Sequence, residues 1–233
     1  MLRLILFDID GTLLHTGGAG VKAFAKVFAT EFNAVDGFDR MKFAGRTDVS
    51  LVREFFNHHQ IPASSENFER FFERYVFWLD EILRHGRVEL CPGVREFLGA
   101  LKQLPEPPLL GLLTGNIRLG AEIKLRHAHL WEEFAIGGFA DDHEDRDHIA
   151  AAARTRGCRL LGRELAGEEI VVVGDTPFDI RCGRAIGARV LAVATGGAKY
   201  ETLETHQPDW LVRDLREISA REVGGLRSPS LTG

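Results

Sequence analysis

Six short apolar runs recur along the chain, at residues 2–7, 109–113, 134–139, 170–173, 189–194 and 209–212, and most are apolar throughout rather than at every second position. Runs of that kind belong to strands covered on both faces, the usual condition of a parallel sheet. From Leu109 onward they alternate with segments of helical periodicity at residues 117–129, 148–156, 178–186 and 200–205. Strand, helix and strand in succession need a crossover at each step, which predicts an α/β fold on a parallel sheet.

The interval between the first two runs does not fit a crossover, because about a hundred residues of almost entirely helical pattern are far too long for one. An inserted helical domain is predicted instead, over residues 16–90. Val21, Phe24, Phe28 and Phe32 stand at helical spacing, as do Val52, Phe55 and Phe56, and then Phe68, Phe71, Phe72, Tyr75, Leu79 and Ile82. Ser64 or Ser65 is placed to cap the third of these helices. Of the 16 Phe residues, 11 lie between Phe24 and Phe77, enough aromatic area for the insert to have a core of its own. Pro92 and Gly93 mark the return, and Val94, Phe97, Leu98 and Leu101 then form a helical stripe that Pro105, Pro107 and Pro108 end. The sheet domain is therefore assigned to residues 1–15 and 91–223. Residues 224–233 are rich in Gly, Ser and Pro and are expected to be a flexible tail.

Composition narrows the function classes. The chain of 233 residues is 45% hydrophobic and 27% charged, with a formal net charge of −5, as in an ordinary water-soluble globular protein. That balance gives no general reason to expect nucleic acid or an anionic membrane as partner. Cys91, Cys158 and Cys182 are scattered and odd in number, which speaks against a disulfide scaffold or structural zinc site and fits a reducing compartment. The first residues lack the layout of a signal peptide, and no apolar run approaches membrane length, so a cytoplasmic location is expected.

The candidate chemistry begins where the first strand ends, in Phe7-Asp8-Ile9-Asp10-Gly11-Thr12-Leu13. On an extended backbone Asp8 and Asp10 project to one side, and Gly11 permits a sharp turn after them, so both acids would stand at the C-terminal edge of a parallel sheet, where ligands bind in open α/β folds. Two like charges so close need a cation, and Mg2+ suits a pair of carboxylates with phosphate oxygens as its other ligands. A hairpin turn at Asp10-Gly11 is the alternative, but no partner strand is expected after Thr12. The pattern D-x-D-G-T arises by chance in about one chain of this length in several hundred.

Asp8-x-Asp10-Gly11-Thr12-Leu13 resembles the first motif of the haloacid dehalogenase superfamily, mostly magnesium-dependent phosphatases and phosphomutases. Leu113-Thr114-Gly115-Asn116 resembles its second motif, and Gly174-Asp175-Thr176-Pro177-Phe178-Asp179 its last acidic cluster. The resemblance spans residues 1 to about 215 and implies a Rossmann-like parallel-sheet core with an inserted α-helical cap. It further implies Asp8 as nucleophile, Asp10 as general acid and base, and magnesium held by Asp8, Asp175, Asp179 and the Asp10 carbonyl. Asp179 could instead only stabilise its helix. Thr114 can donate to a phosphoryl oxygen, and the amides of Gly115 and Asn116, expected to open a helix, form an anion site with Gly11 close by.

The third motif departs from the family, in which a Lys followed by Pro is common; residues 139–148 contain no Lys. Arg146 is the strong cation there and is assigned to the nucleophile and phosphoryl group, with Lys124 as reserve or as an exposed helix lysine. Arg46, in Phe43-Ala44-Gly45-Arg46-Thr47-Asp48, resembles the substrate-facing loop of capped members; otherwise Thr47 caps a helix and Arg46 faces solvent. Gly17, Gly18 and Gly20 lack the G-K-[ST] ending of a nucleotide loop, and the resemblance implies that they are the hinge between core and insert. A small phosphorylated metabolite is the implied substrate, of the kind taken by phosphoglycolate-phosphatase-like enzymes. A sugar phosphomutase, or a module that accepts phosphoryl without turnover, is the alternative. A monomer or homodimer is expected.

Overall fold

The structure is a computed structural model describing residues 1–37 and 41–225; residues 226–233, most of the expected tail, lie outside the described residues. Six strands form one parallel sheet: β1 (Leu4–Phe7), β4 (Leu109–Leu113), β5 (Ile136–Gly138), β6 (Ile170–Gly174), β7 (Arg189–Val193) and β8 (Trp210–Val212). Two further strands, β2 (Leu14–His15) and β3 (Glu89–Leu90), pair antiparallel with one another. A strand does therefore follow Thr12, contrary to the sequence reading. It pairs with the returning end of the insert and not with β1, so the hairpin alternative still fails.

Helices α1 (Ala19–Phe32), α2 (Asp48–His58) and α3 (Ser65–His85) make up the insert, with α4 (Val94–Lys102) after it. Helices α5 (Arg118–His127), α6 (Arg146–Leu161), α7 (Pro177–Ala185), α8 (Tyr200–Thr205) and α9 (Ala220–Val223) follow among the strands. The sheet order is β5-β4-β1-β6-β7-β8, so β1 lies where the chain stops adding strands on one side and starts on the other. In open α/β sheets that reversal opens a crevice at the strands' C-terminal ends.

Alternation along β1 divides the core. Ile5 and Phe7 pack on one face with Val94, Phe97 and Leu101 of α4 and Leu125 of α5. Leu4 and Leu6 pack on the other with Ile149 and Ala153 of α6 and Cys182 of α7. The insert has a separate aromatic core, in which Phe28 stacks on Phe55 with centroids 3.7 Å apart and Phe24 meets Phe71 and Tyr75 edge-on at 4.9 Å each. Ser64 caps α3 by accepting the Asn67 amide. Helix α6 begins two residues before the periodicity suggested, because Asp145 caps it by accepting the Asp147 amide, and runs five further, where Gly162 ends it in the left-handed region at φ 70°. None of the described helices is long and apolar enough to cross a membrane.

Candidate active site

The register of the central strands brings three distant pieces of sequence together. Phe7 is level with Leu112 of β4 and Val173 of β6, so Asp8, Thr114 and Asp175 leave adjacent strands at one edge. The Asp8 amide continues the ladder to the Val173 carbonyl at 2.9 Å, and the Thr114 amide to that of Gly138 at 3.1 Å. Gly11 then turns at φ 87°, where a Cβ would lie 2.7 Å from Asp175 Oδ2 and 2.8 Å from Gly196 Cα; only glycine lets the turn close over the acid. Thr12 Oγ1 donates to Asp175 Oδ1 at 3.0 Å, and the Gly197 amide to Oδ2.

Asp8, Asp175 and Asp179 each offer an oxygen within 4.8 Å of the others, and all three are buried. Arg146, 4% exposed at the first position of α6, reaches in among them. Its Nη2 lies 3.3 Å from Asp8 Oδ1 and 3.5 Å from the Leu113 carbonyl, and it pairs with Asp179 Oδ1. The other Asp179 oxygen accepts the Thr176 amide at 3.0 Å and the Thr176 hydroxyl at 2.6 Å, closing the first turn of α7. One Asp179 oxygen thus stabilises the start of its helix, while the other faces Arg146 within the acid cluster.

One guanidinium does not balance three buried carboxylates. Burial, then the charge of Asp179, push Asp8 well above the usual carboxylate range, against the weaker pull of Arg146. The same causes raise Asp175 to about 7, against the Gly197 amide and Thr12. Burial opposes the charge of Arg146, but Asp179 and Asp8 outweigh it and raise its pKa. An excess of negative charge on hard oxygen donors in a buried space is the setting that a small divalent cation neutralises.

Asp10 has a different environment. Its carboxylate, 43% exposed, lines the same cavity as Asp8 but receives Lys124 Nζ at 2.6 Å and Asn116 Nδ2 at 2.8 Å, both on Oδ2. Lys124, read as a reserve cation for the nucleophile or an exposed helix lysine, is not an exposed one: it is 4% exposed and lines the cavity, and its partners are Asp10 and the Asn116 Oδ1 at 2.6 Å. Thr114 Oγ1 accepts from the Asn116 amide at 3.3 Å and from Nδ2 at 2.8 Å, which occupies its lone pairs and leaves its proton to donate outward. Because α5 begins only at Arg118 and the Asn116 amide turns to Thr114, the Gly115 amide is the free donor of the expected pair among the described residues.

Gly115 also seats the insert. A Cβ there would collide with the Arg46 carbonyl and stand 3.1 Å from Thr47 Cα. The Asp48 amide donates to the Gly115 carbonyl at 2.7 Å, and Asp48 Oδ2 accepts the Ile117 amide at 2.8 Å. Thr47 caps α2 through the Ser50 amide and donates to the Glu144 carbonyl at 2.9 Å. Arg46 lines the cavity, but its guanidinium pairs with Glu54 and lies 3.4 Å from the Ser50 carbonyl. The cavity is about 450 Å³ and opens to solvent, with Val21, Phe24, Phe43, Leu51 and Tyr75 as its apolar wall.

Sequence reasoning passed over Asp48, Tyr75, Gly196, Gly197 and the role of Thr12. Asp48 looks like any acid in a first helical turn, and only the docking of α2 shows that it is buried. Burial raises it to about 7, against the pull of Lys124 and the Ile117 amide. The folded protein then keeps a proton that an unfolded chain, with its carboxyl near 3.8, releases, so stability falls as pH rises from about 4 to about 7 and levels off above. Asp48→Asn, which keeps an acceptor for Ile117, is expected to shrink that fall by about 1–3 kcal/mol, measured as the difference between thermal melts at acid and mildly alkaline pH. An unchanged pH slope counts against a buried Asp48 carboxyl.

A family model described as "Haloacid dehalogenase-like hydrolase" matches residues 5–193. Pyrophosphatase PpaX of Bacillus anthracis is 24% identical over 232 residues, covering 93% of this chain and 94% of that protein. Among solved structures, one described as a predicted phosphoglycolate phosphatase from Haemophilus somnus superimposes with a TM-score of 0.71 at 20% identity, over 96% of this chain and 97% of its own. CbbY from Rhodobacter sphaeroides, solved in complex with phosphate, gives 0.68 at 19% identity, over 85% and 88%.

Proposed function

The chain belongs to the haloacid dehalogenase-like hydrolase family, and from that premise we propose that it is a magnesium-dependent phosphatase that hydrolyses a small phosphorylated metabolite through an aspartyl phosphate on Asp8. One observation carries the reading: Asp8 stands at a strand end among two further buried acids and one arginine, while Asp10, held apart from them, opens on the same cavity. The phosphatase and pyrophosphatase names of the relatives support the reaction class.

Asp8 Oδ2, which makes no hydrogen bond among the described residues, attacks phosphorus, while Oδ1 stays on Arg146. The Thr114 hydroxyl and the Gly115 amide donate to phosphoryl oxygens, and the guanidinium of Arg146 spreads the charge that develops on them. Asp10 gives its proton to the leaving oxygen as the ester bond breaks, then takes one from the water that displaces Asp8 from phosphorus. Asp8, Asp175 and Asp179, with the Asp10 carbonyl, would hold magnesium, which supplies Lewis-acid stabilisation of the phosphoryl oxygens when bound. The seated insert excludes bulk water from the cavity during transfer.

The test is phosphate release by the purified protein across a panel of small phosphomonoesters, including phosphoglycolate and hexose phosphates. Chelation is expected to remove turnover and added Mg2+ to restore it. Calorimetric titration with Mg2+ should show binding that Asp175→Asn weakens by at least about tenfold. Turnover indifferent to chelator, or equal binding by the variant, would reject the metal site.

A further inference from the structure

The cations that line the cavity are not equally engaged in the proposed chemistry. Arg146 lies on Asp8 and Asp179, and Arg46 pairs with Glu54 at the edge of the insert. Lys124 is buried, lies on α5 and touches none of the three clustered acids. A buried ammonium is tolerated only when its donors are matched, and its matched partners are Asp10 Oδ2 and Asn116 Oδ1, both at 2.6 Å.

Asn116 completes the arrangement. Its amide can point only one way, since Oδ1 must face the ammonium and Nδ2 must face the Asp10 carboxylate and the Thr114 hydroxyl. Asp10 is therefore gripped at one oxygen by two donors that are each fixed by a second bond. Its Oδ1 makes no hydrogen bond among the described residues. An aspartate on a turn has two side-chain torsions of its own, and two donors on a single oxygen remove that freedom while leaving the other oxygen open for a proton transfer.

We propose that Lys124 and Asn116 are positioning residues for Asp10, clasping Oδ2 so that Oδ1 faces the oxygen that leaves phosphorus. The inference rests on the phosphatase reading above. In the first step the Asp8–phosphorus bond forms, the ester bond breaks, and the Asp10 Oδ1 proton moves to the departing alkoxide. In the second, water forms the new bond to phosphorus, Asp8 departs, and the water's proton returns to Oδ1. Lys124 meets Asp10 at its carboxylate and not at the carbonyl assigned to magnesium, and it acts through the orientation of Asp10. Asn116 additionally ties that orientation to the Thr114 hydroxyl, so the acid and the phosphoryl donor keep a fixed separation.

The consequence depends on the leaving group. An alkyl phosphomonoester needs a proton delivered to its alkoxide, whereas p-nitrophenyl phosphate releases a stable phenolate without one. Lys124→Met and Asn116→Ala are each expected to lower kcat/KM by about 100-fold on the fastest alkyl phosphomonoester of the panel. On p-nitrophenyl phosphate the loss should stay within about fivefold, because kcat/KM there reports a step that needs no acid. Asp10→Asn should show the same split and calibrates it. Lys124→Gln, which keeps an N–H donor at nearly the same reach, should recover part of the alkyl activity. Asn116→Ala tests the clasp without emptying the Lys124 site, should the Met variant fold poorly. Equal losses on the two substrates, or no loss on either, would overturn the clasp and leave the phosphatase standing. An intact protein that hydrolyses neither substrate with Mg2+ present overturns the phosphatase reading and the clasp with it.

Discussion

Asp8→Asn is expected to lower phosphate release on the order of 10⁴-fold or more while leaving the fold as stable as before or more so. The two halves of that expectation have one cause. The Asp8 carboxylate is held in a buried cluster with Asp175 and Asp179, where burial and the Asp179 charge oppose its ionisation. An amide of the same shape removes that repulsion and keeps the contact with Arg146 through its carbonyl oxygen, but it has no oxyanion with which to attack phosphorus. Phosphate release, thermal melting without metal and trapping of a labelled phosphoenzyme together check it. Turnover near the wild-type rate would remove Asp8 from the reaction. A sharply lowered melting temperature would mean that the carboxylate is needed for the fold.

Arg146→Ala should give the largest loss of stability of any single change at the site, about 3–5 kcal/mol. The guanidinium is buried against Asp8, Asp179 and the Leu113 carbonyl, and its removal leaves three buried acids without that counter-charge. Added Mg2+ should restore part of that stability, because a cation bound only by the folded chain shifts the equilibrium by mass action. Activity should fall at least about 100-fold even at saturating metal. Arg146→Lys should retain the fold better than the activity, since an ammonium keeps the charge but, on a shorter stem, falls short of the position from which Nη2 meets Asp8, Asp179 and the Leu113 carbonyl. Denaturant titrations with and without Mg2+ measure the effect, and a midpoint unchanged from wild type in the Ala variant would contradict the burial of these charges.

The parts of the fold that could be read in the sequence were those whose signal is local. Residues 109–113 and 170–173 are apolar throughout because β4 and β6 are covered on both faces, and the strands lie where the pattern puts them. The pair β2 and β3 could not be read, since two residues each leave no period and their pairing joins distant points of the chain. At the site, Arg146 is where the acid-rich segment suggested, against Asp8. The buried lysine carried a clue that was passed over: Ala121 and Leu125 of α5, with Ile117 and Ala128 at its two ends, form a buried stripe with Lys124 beside it, and a lysine on that face must find a carboxylate. Asp48 offered no such clue, because its burial comes from the seating of α2 on Gly115, a contact between segments that nothing in either one announces.

The insert leaves the sheet domain at His15 and returns at Glu89, and those two residues are opposite one another in the β2–β3 pair. Antiparallel partners stand roughly 5 Å apart, so the covalent connections of everything between them are two adjacent points that a short turn could join. Excising or exchanging that segment would change the length of one loop and leave every strand of the parallel sheet with its neighbours. Asp8 and its acid partners are carried by one heritable unit, while most of the cavity's apolar wall is carried by another. Recombination can therefore set the same acid cluster under a new cavity wall without rebuilding the sheet that carries it.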